Sequence, residues 1–146
     1  MDMVKDLMMC IGKRIATLGL VGTMSVAGMS TSAMAASSVS GKLNGFTYTA
    51  SISKDNYSAT AKTTFARGGS NIKATATVYY WFDEVAFQST ISANSSAGGV
   101  SAVAQKKKGG ADVVGGKGEH SVSYDAYSWG PVTTTTGTII PTAKKL

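Results

Sequence analysis

His120 is the only histidine of the chain, in the run EHSVSYD, and so the only imidazole available as a general base. A Ser-His-Asp triad needs such a ring beside an activated hydroxyl. Serine is so frequent here that any histidine would have serine neighbours, so their presence carries no weight. Alternation puts His120, Val122 and Tyr124 on one strand face and Glu119, Ser121, Ser123 and Asp125 on the other. A lone histidine in that setting is expected to be a structural group. Glycoside hydrolysis needs two carboxylates facing each other across a substrate. The candidates are Asp55, Asp83, Glu84, Asp112, Glu119 and Asp125; Asp83 and Glu84 are adjacent and read as a turn, and only Asp125 of the others falls away from a turn or strand end. One His and one Cys, Cys10, make no zinc ligand set, and the DxDxDG pattern of a calcium loop is missing. The expectation is a protein that is not an enzyme, with no catalytic residues, no metal and no cofactor.

Two groups of residues suit binding instead. Lys106, Lys107, Lys108 and Lys117 belong to the basic, glycine-rich run KKKGGADVVGGKG, read as a mobile loop over 106–118 with Asp112-Val113-Val114 as a brief edge strand. Gly110 to Lys117 has the glycines and lysine of a phosphate loop, but Gly118 stands where Ser or Thr is required and no helix follows. Lysines at a hairpin tip discourage edge aggregation; they also attract anionic cell-wall polymers or headgroups. The second group is aromatic. Tyr79 and Trp81 share the outer parity of one strand, and Tyr127 and Trp129 repeat that spacing in another. If the strand ends are neighbours, four rings make one exposed platform that stacks on sugars. The competing reading makes both tryptophans core, with a bulge switching parity.

These residues must be carried by strands. Phe46, Tyr48, Ala50 and Ile52 alternate with Thr and Ser; so do Tyr57 to Phe65, Ile72 to Phe82 and Val85 to Ile91. Such period-two patterning marks half-buried strands. Asn44-Gly45 is a hairpin turn, and further turns fall at Lys54-Asp55-Asn56, Arg67–Asn71, Asp83-Glu84 and Asn94–Gly99. Further strands are expected over Val100–Gln105, His120–Trp129 and Val132–Ile140. The spacing predicts an all-β antiparallel β-sandwich, or open barrel, of about 7–8 strands. The core is expected to be thin and alanine-rich, with Phe46, Tyr48, Ile52, Phe65, Ile72, Val78, Tyr80, Phe82, Phe87, Ile91 and Val122 filling it.

Residues 1–36 differ from the rest of the chain. They hold all seven Met and the only Cys but no Phe, Tyr or Trp. Lys5, Lys13 and Arg14 precede an uncharged stretch from Ile15 to Met29, and Ala33 and Ala35 come next as small residues. This is the order of a secretory signal peptide cut near Ala35 or Ala36; the stretch is short for a spanning helix. Its removal takes Lys5, Lys13, Arg14, Asp2 and Asp6 from a chain of 14 basic and 8 acidic residues, leaving a net charge of +5 on residues 37–146. A cysteine-free exported product points to a bacterial protein, secreted or extracellular, with no transmembrane span in the mature chain and no nucleic-acid partner. The function expected is non-enzymatic binding at or outside the cell surface, with a glycan or anionic cell-wall polymer as ligand. The alternative is a secreted bacteriocin-like antibacterial protein, which fits the leader, the size and the charge.

Overall fold

The alternating segments become nine strands in the computed structural model, which describes residues 36–146. The expected leader, apart from Ala36, lies outside the described residues. The strands are β1 (Ser38–Leu43), β2 (Phe46–Lys54), β3 (Ser58–Phe65), β4 (Asn71–Phe82), β5 (Val85–Ser95), β6 (Gly98–Gln105), β7 (Asp112–Tyr124), β8 (Tyr127–Gly137) and β9 (Lys144–Lys145). They form two sheets, one ordered β1-β2-β3-β6 and the other β9-β5-β4-β7-β8, packed as a β-sandwich. All neighbours are antiparallel except β9, which lies parallel to β5 at Phe87 and Gln88. Among the described residues no helix is long and apolar enough to cross a membrane.

The turns follow from local chemistry. Asn44 and Gly45 both take positive φ, 49° and 85°, as a two-residue hairpin turn requires. Asp83 and Glu84 do the same at 54° and 62°. The β1–β2, β3–β4, β5–β6 and β7–β8 connections gather at one end of the sandwich. The β2–β3, β4–β5 and β6–β7 connections gather at the other, here called the loop end.

The core is thin, as the sequence predicts. Ala59, Ala61, Ala74, Ala76, Ala102 and Ala104 are buried between the sheets with Ile52, Val78 and Tyr80. Toward the other end Phe65, Ile72, Val122 and Tyr124 form a second cluster, with Phe46, Tyr48 and Trp129 packed against it. Close approach explains the glycines of β7. A Cβ on Gly116 would lie 2.7 Å from the Ala59 methyl, and one on Gly118 would lie 2.6 Å from the His120 ring.

Three expectations need correction. The basic loop ends at Ala111; Asp112–Gly118 is strand, because Gly115, Gly116 and Gly118 answer close contacts rather than a need for mobility. The strand expected over His120–Trp129 is two strands, separated by a turn at Asp125-Ala126. Ile91 lies on the inner parity, opposite Ala76, yet it is 46% exposed, since residues of β5 beyond Gln88 form an open edge of the sheet.

Candidate functional site

The loop end is built from the β2–β3 turn upward. Asp55 Oδ1 accepts hydrogen bonds from the amides of Tyr57 (2.7 Å) and Ser58 (2.8 Å) and from the Ser58 hydroxyl (3.2 Å). These amide bonds to the charged form hold the Asp55 carboxyl below its usual range. They also shape the turn that leaves Tyr57 standing 66% exposed. The Tyr57 carbonyl accepts the amide of Lys106 at 2.9 Å, tying this turn to the β6–β7 loop.

That loop is pinned by its own lysines. Lys106 Nζ donates to the Ala111 carbonyl at 2.7 Å and lies 5.0 Å from the centre of the Tyr57 ring. The Lys107 amide donates to the hydroxyl of buried Tyr80 at 3.2 Å. Lys108 Nζ lies 5.6 Å from the rings of both Phe82 and Phe87. Two open concavities, of about 420 and 340 Å³, adjoin here and share Tyr57, Lys106 and Gly110 in their linings. Lys107 is exposed, and Trp81, 42% exposed, stands at the same end beside Asp112. The arrangement offers ammonium groups and aromatic faces to an anionic or ring-bearing ligand. Lys117, expected with this group, lies on β7 opposite Thr77 and pairs with Glu119 at 3.3 Å.

The four rings expected as one platform are not together. Tyr79 pairs with Gly115 and Trp129 with Val122, so seven residues of β7, about 23 Å, separate the two pairs along the sheet. They also differ in face. Between His120↔Val132 and Val122↔Trp129 the strand β8 carries one residue more than β7, and this bulge, where Gly130 has a φ of 95°, turns Trp129 inward. Trp129 there stacks on Tyr48 at 4.0 Å between centroids, closing the side of the sandwich where β8 meets β2. Burial pushes the Tyr48 phenol up, with the hydrogen bond to Trp129 acting the other way. Tyr127, 45% exposed, stacks on Tyr124 at 5.3 Å. Arg67 covers the same Tyr124 ring at 4.4 Å and pairs with Asp125 at 3.5 Å.

Tyr79 keeps its outer parity but is only 3% exposed. Residues 138–143 run from β8 at one edge of the five-stranded sheet to β9 at the other. They pass over Gly115, where a Cβ would fall on the Thr138 backbone, so the crossing lies on the face that holds Tyr79. Trp81 is thus the one ring of the four that joins the loop-end surface.

His120 is a core group. It is 1% exposed, with Nδ1 at 2.8 Å from the Thr63 hydroxyl and Nε2 at 2.7 Å from that of Thr134. The Thr63 hydroxyl donates to the Lys73 carbonyl at 3.0 Å. Its one proton is thereby used, so Nδ1 carries hydrogen and donates to Thr63, while Nε2 accepts from Thr134. The chain of bonds joins β3 of one sheet to β7 and β8 of the other with a neutral ring. Burial holds His120 down at about 4, the Glu119 carboxylate pulling weakly the other way. Among the described residues no three His, Cys, Asp or Glu side chains converge as a metal site. Sequence reasoning missed Tyr57, which its alternation assigned to a strand; the signal was the Asp-Asn-Tyr-Ser run, where an Asp oxygen caps the amides two and three residues on. Set against protein-family models, curated proteins and solved structures, the chain matches none of them.

Proposed function

We propose that the chain is an exported, non-enzymatic binding domain whose loop end holds an anionic polymer of the cell surface. The observation behind this reading is the convergence of Tyr57, Lys106 and Lys108 around two adjoining open concavities, with exposed Lys107 between the two lysines in sequence and exposed Trp81 at the same end. Such a site needs no deep pocket. A flexible polyanion meets spaced ammonium groups and gains from each, while the rings Tyr57 and Trp81 offer flat faces to sugar units. Residues 37–146 carry a formal net charge of +5, which favours the same class of partner.

The test is co-sedimentation of the protein with purified anionic cell-wall polymer and with a neutral polysaccharide of similar length. Retention on the anionic polymer alone, weakening steeply with salt, is the expected result. Equal retention on both, or none on either, contradicts the reading. The antibacterial alternative gives a different result: loss of viability in sensitive bacteria at concentrations where binding to isolated wall material is absent.

A further inference from the structure

The two lateral sides of the sandwich are unlike. On one, β1 and β8 are guarded: Lys42 lies on β1, Pro131 and the bulge interrupt β8, and the Ala36 carbonyl accepts the Thr135 amide at 3.1 Å across the gap between the sheets. On the other lie β5 and β6, and neither VAFQSTISANS nor GGVSAVAQ contains a charged residue or a proline. Natural sheets usually blunt their edges with lysine, proline, a bulge or a covering segment. Here β9 covers β5 only at Phe87 and Gln88. Leu146 continues that parallel run beside Ser89, and from Thr90 to Ser95 no strand lies beside β5 on its outer side among the described residues.

The geometry of that free stretch is specific. The Gln88 carbonyl accepts the Leu146 amide at 3.2 Å, so the backbone groups of Gln88 point away from β4. Alternation then points those of Thr90, Ser92 and Asn94 the same way. Ile91, between them, faces the inter-sheet side and is 46% exposed. We propose that this edge is a strand-pairing surface for a second copy of the chain, two β5 strands meeting antiparallel about Ser92 so that two five-stranded sheets become one.

The second copy fits better than any other occupant for three reasons. Centring on Ser92 is self-complementary: Thr90 meets Asn94 of the second copy, and Ile91 meets Ala93, so each exposed Ile91 is covered. The pairing runs from 90 to 94 and stops short of Ser89, beside which Leu146 lies, so it leaves β9 and the C-terminal residue in place. A domain with this excess of positive charge repels its own kind, and the β5 edge is a place where two copies approach without bringing lysines together. The interface does not involve the loop end and stands whether or not the polymer reading does. A five-residue strand addition is small beside the roughly 1,600 Å² of a stable complex, so the dimer is reversible and is best trapped covalently.

Ser92→Cys in a Cys10→Ser background supplies the trap. Opposed residues of a hydrogen-bonded antiparallel pair have Cα atoms about 5.5 Å apart, within disulfide reach. Mild oxidation of the native full chain is expected to give a disulfide-linked dimer. Adding Ile91→Lys should cut its yield about tenfold, the factor that about 1.4 kcal/mol produces. Thr90→Pro, which removes an outward amide and the Thr90–Thr77 hydroxyl bond while sparing the backbone pairing to β4, should do the same; each variant is first shown to melt cooperatively. Val103→Cys in the same background marks the β6 edge and should stay monomeric. A monomeric Ser92→Cys chain, equal dimer from Val103→Cys, or a yield unchanged by both edge variants overturns the proposal.

Discussion

His120 shows what a single buried polar group does in this core. Neutral, it satisfies Thr63 and Thr134 and joins the two sheets; protonated, it is a charge buried in the core, offset only in part by the Glu119 carboxylate. Its folded value of about 4 lies below the ordinary 6.5. The unfolded chain therefore takes up the proton first as pH falls, so the stability contributed by the neutral ring is complete above about pH 6.5 and lost between there and about pH 4. Linkage puts that loss at about 3 kcal/mol. Chemical denaturation across this range should show it in the parent and not in His120→Gln, which cannot titrate; parallel curves for the two proteins would rule out the account. The tryptophans separate in the same kind of measurement. Trp129, stacked on Tyr48, should cost about 3 kcal/mol when replaced by Ala, whereas exposed Trp81→Ala should cost under about 1 kcal/mol. The sequence left both placements of Trp129 open. Only the register of β7 against β8 decides between them, and a one-residue bulge leaves little trace in a Ser/Thr-rich alternation.

At the scale of elements, what was legible depended on turns and parity. Asn44-Gly45 marked a hairpin because few residues accept left-handed backbone, Asp83-Glu84 marked a turn as an acidic break between two alternating runs, and alternation marked most inner faces. The β4–β5 turn still carries two non-glycine residues in that region. Replacing Asp83-Glu84 by Asn-Gly should raise the denaturation midpoint, by up to about 1 kcal/mol in stability; an unchanged or lowered midpoint would show that the side chains contribute more than the backbone costs. Lateral position was not legible. Ile91 has core parity and lies at an open edge, while Tyr79 has surface parity and lies beneath a crossing segment. That crossing depends on Gly115. The six residues 138–143 must span four strand spacings, about 19 Å, which leaves little slack for a detour. Gly115→Val should displace them from the sheet, exposing Tyr79 and opening the C-terminal segment to limited proteolysis before the rest of the domain. Proteolysis that begins elsewhere would mean that the crossing is held by other contacts.

For the whole molecule, a thin alanine core leaves little room for buried machinery and puts the available chemistry on the ends of the sandwich. The sequence showed the lysines but not their company. Tyr57 and Lys106 are 49 positions apart in sequence, and only the pairing of β3 with β6 brings their turns together. It also grouped Lys117 with the loop, because a glycine-rich run looks alike whether its glycines serve motion or close packing. The central claim is that the loop end, and not general positive charge, holds the polymer. It is tested most directly by retention on anionic cell-wall polymer of Lys106→Gln/Lys107→Gln/Lys108→Gln with Tyr57→Ala, beside a control in which Lys42, Lys62 and Lys73, all away from the loop end, are changed to Gln. The account predicts that the loop variant melts close to the parent and loses at least about tenfold in affinity, while the control keeps most of its binding. Equal losses in the two variants would contradict it.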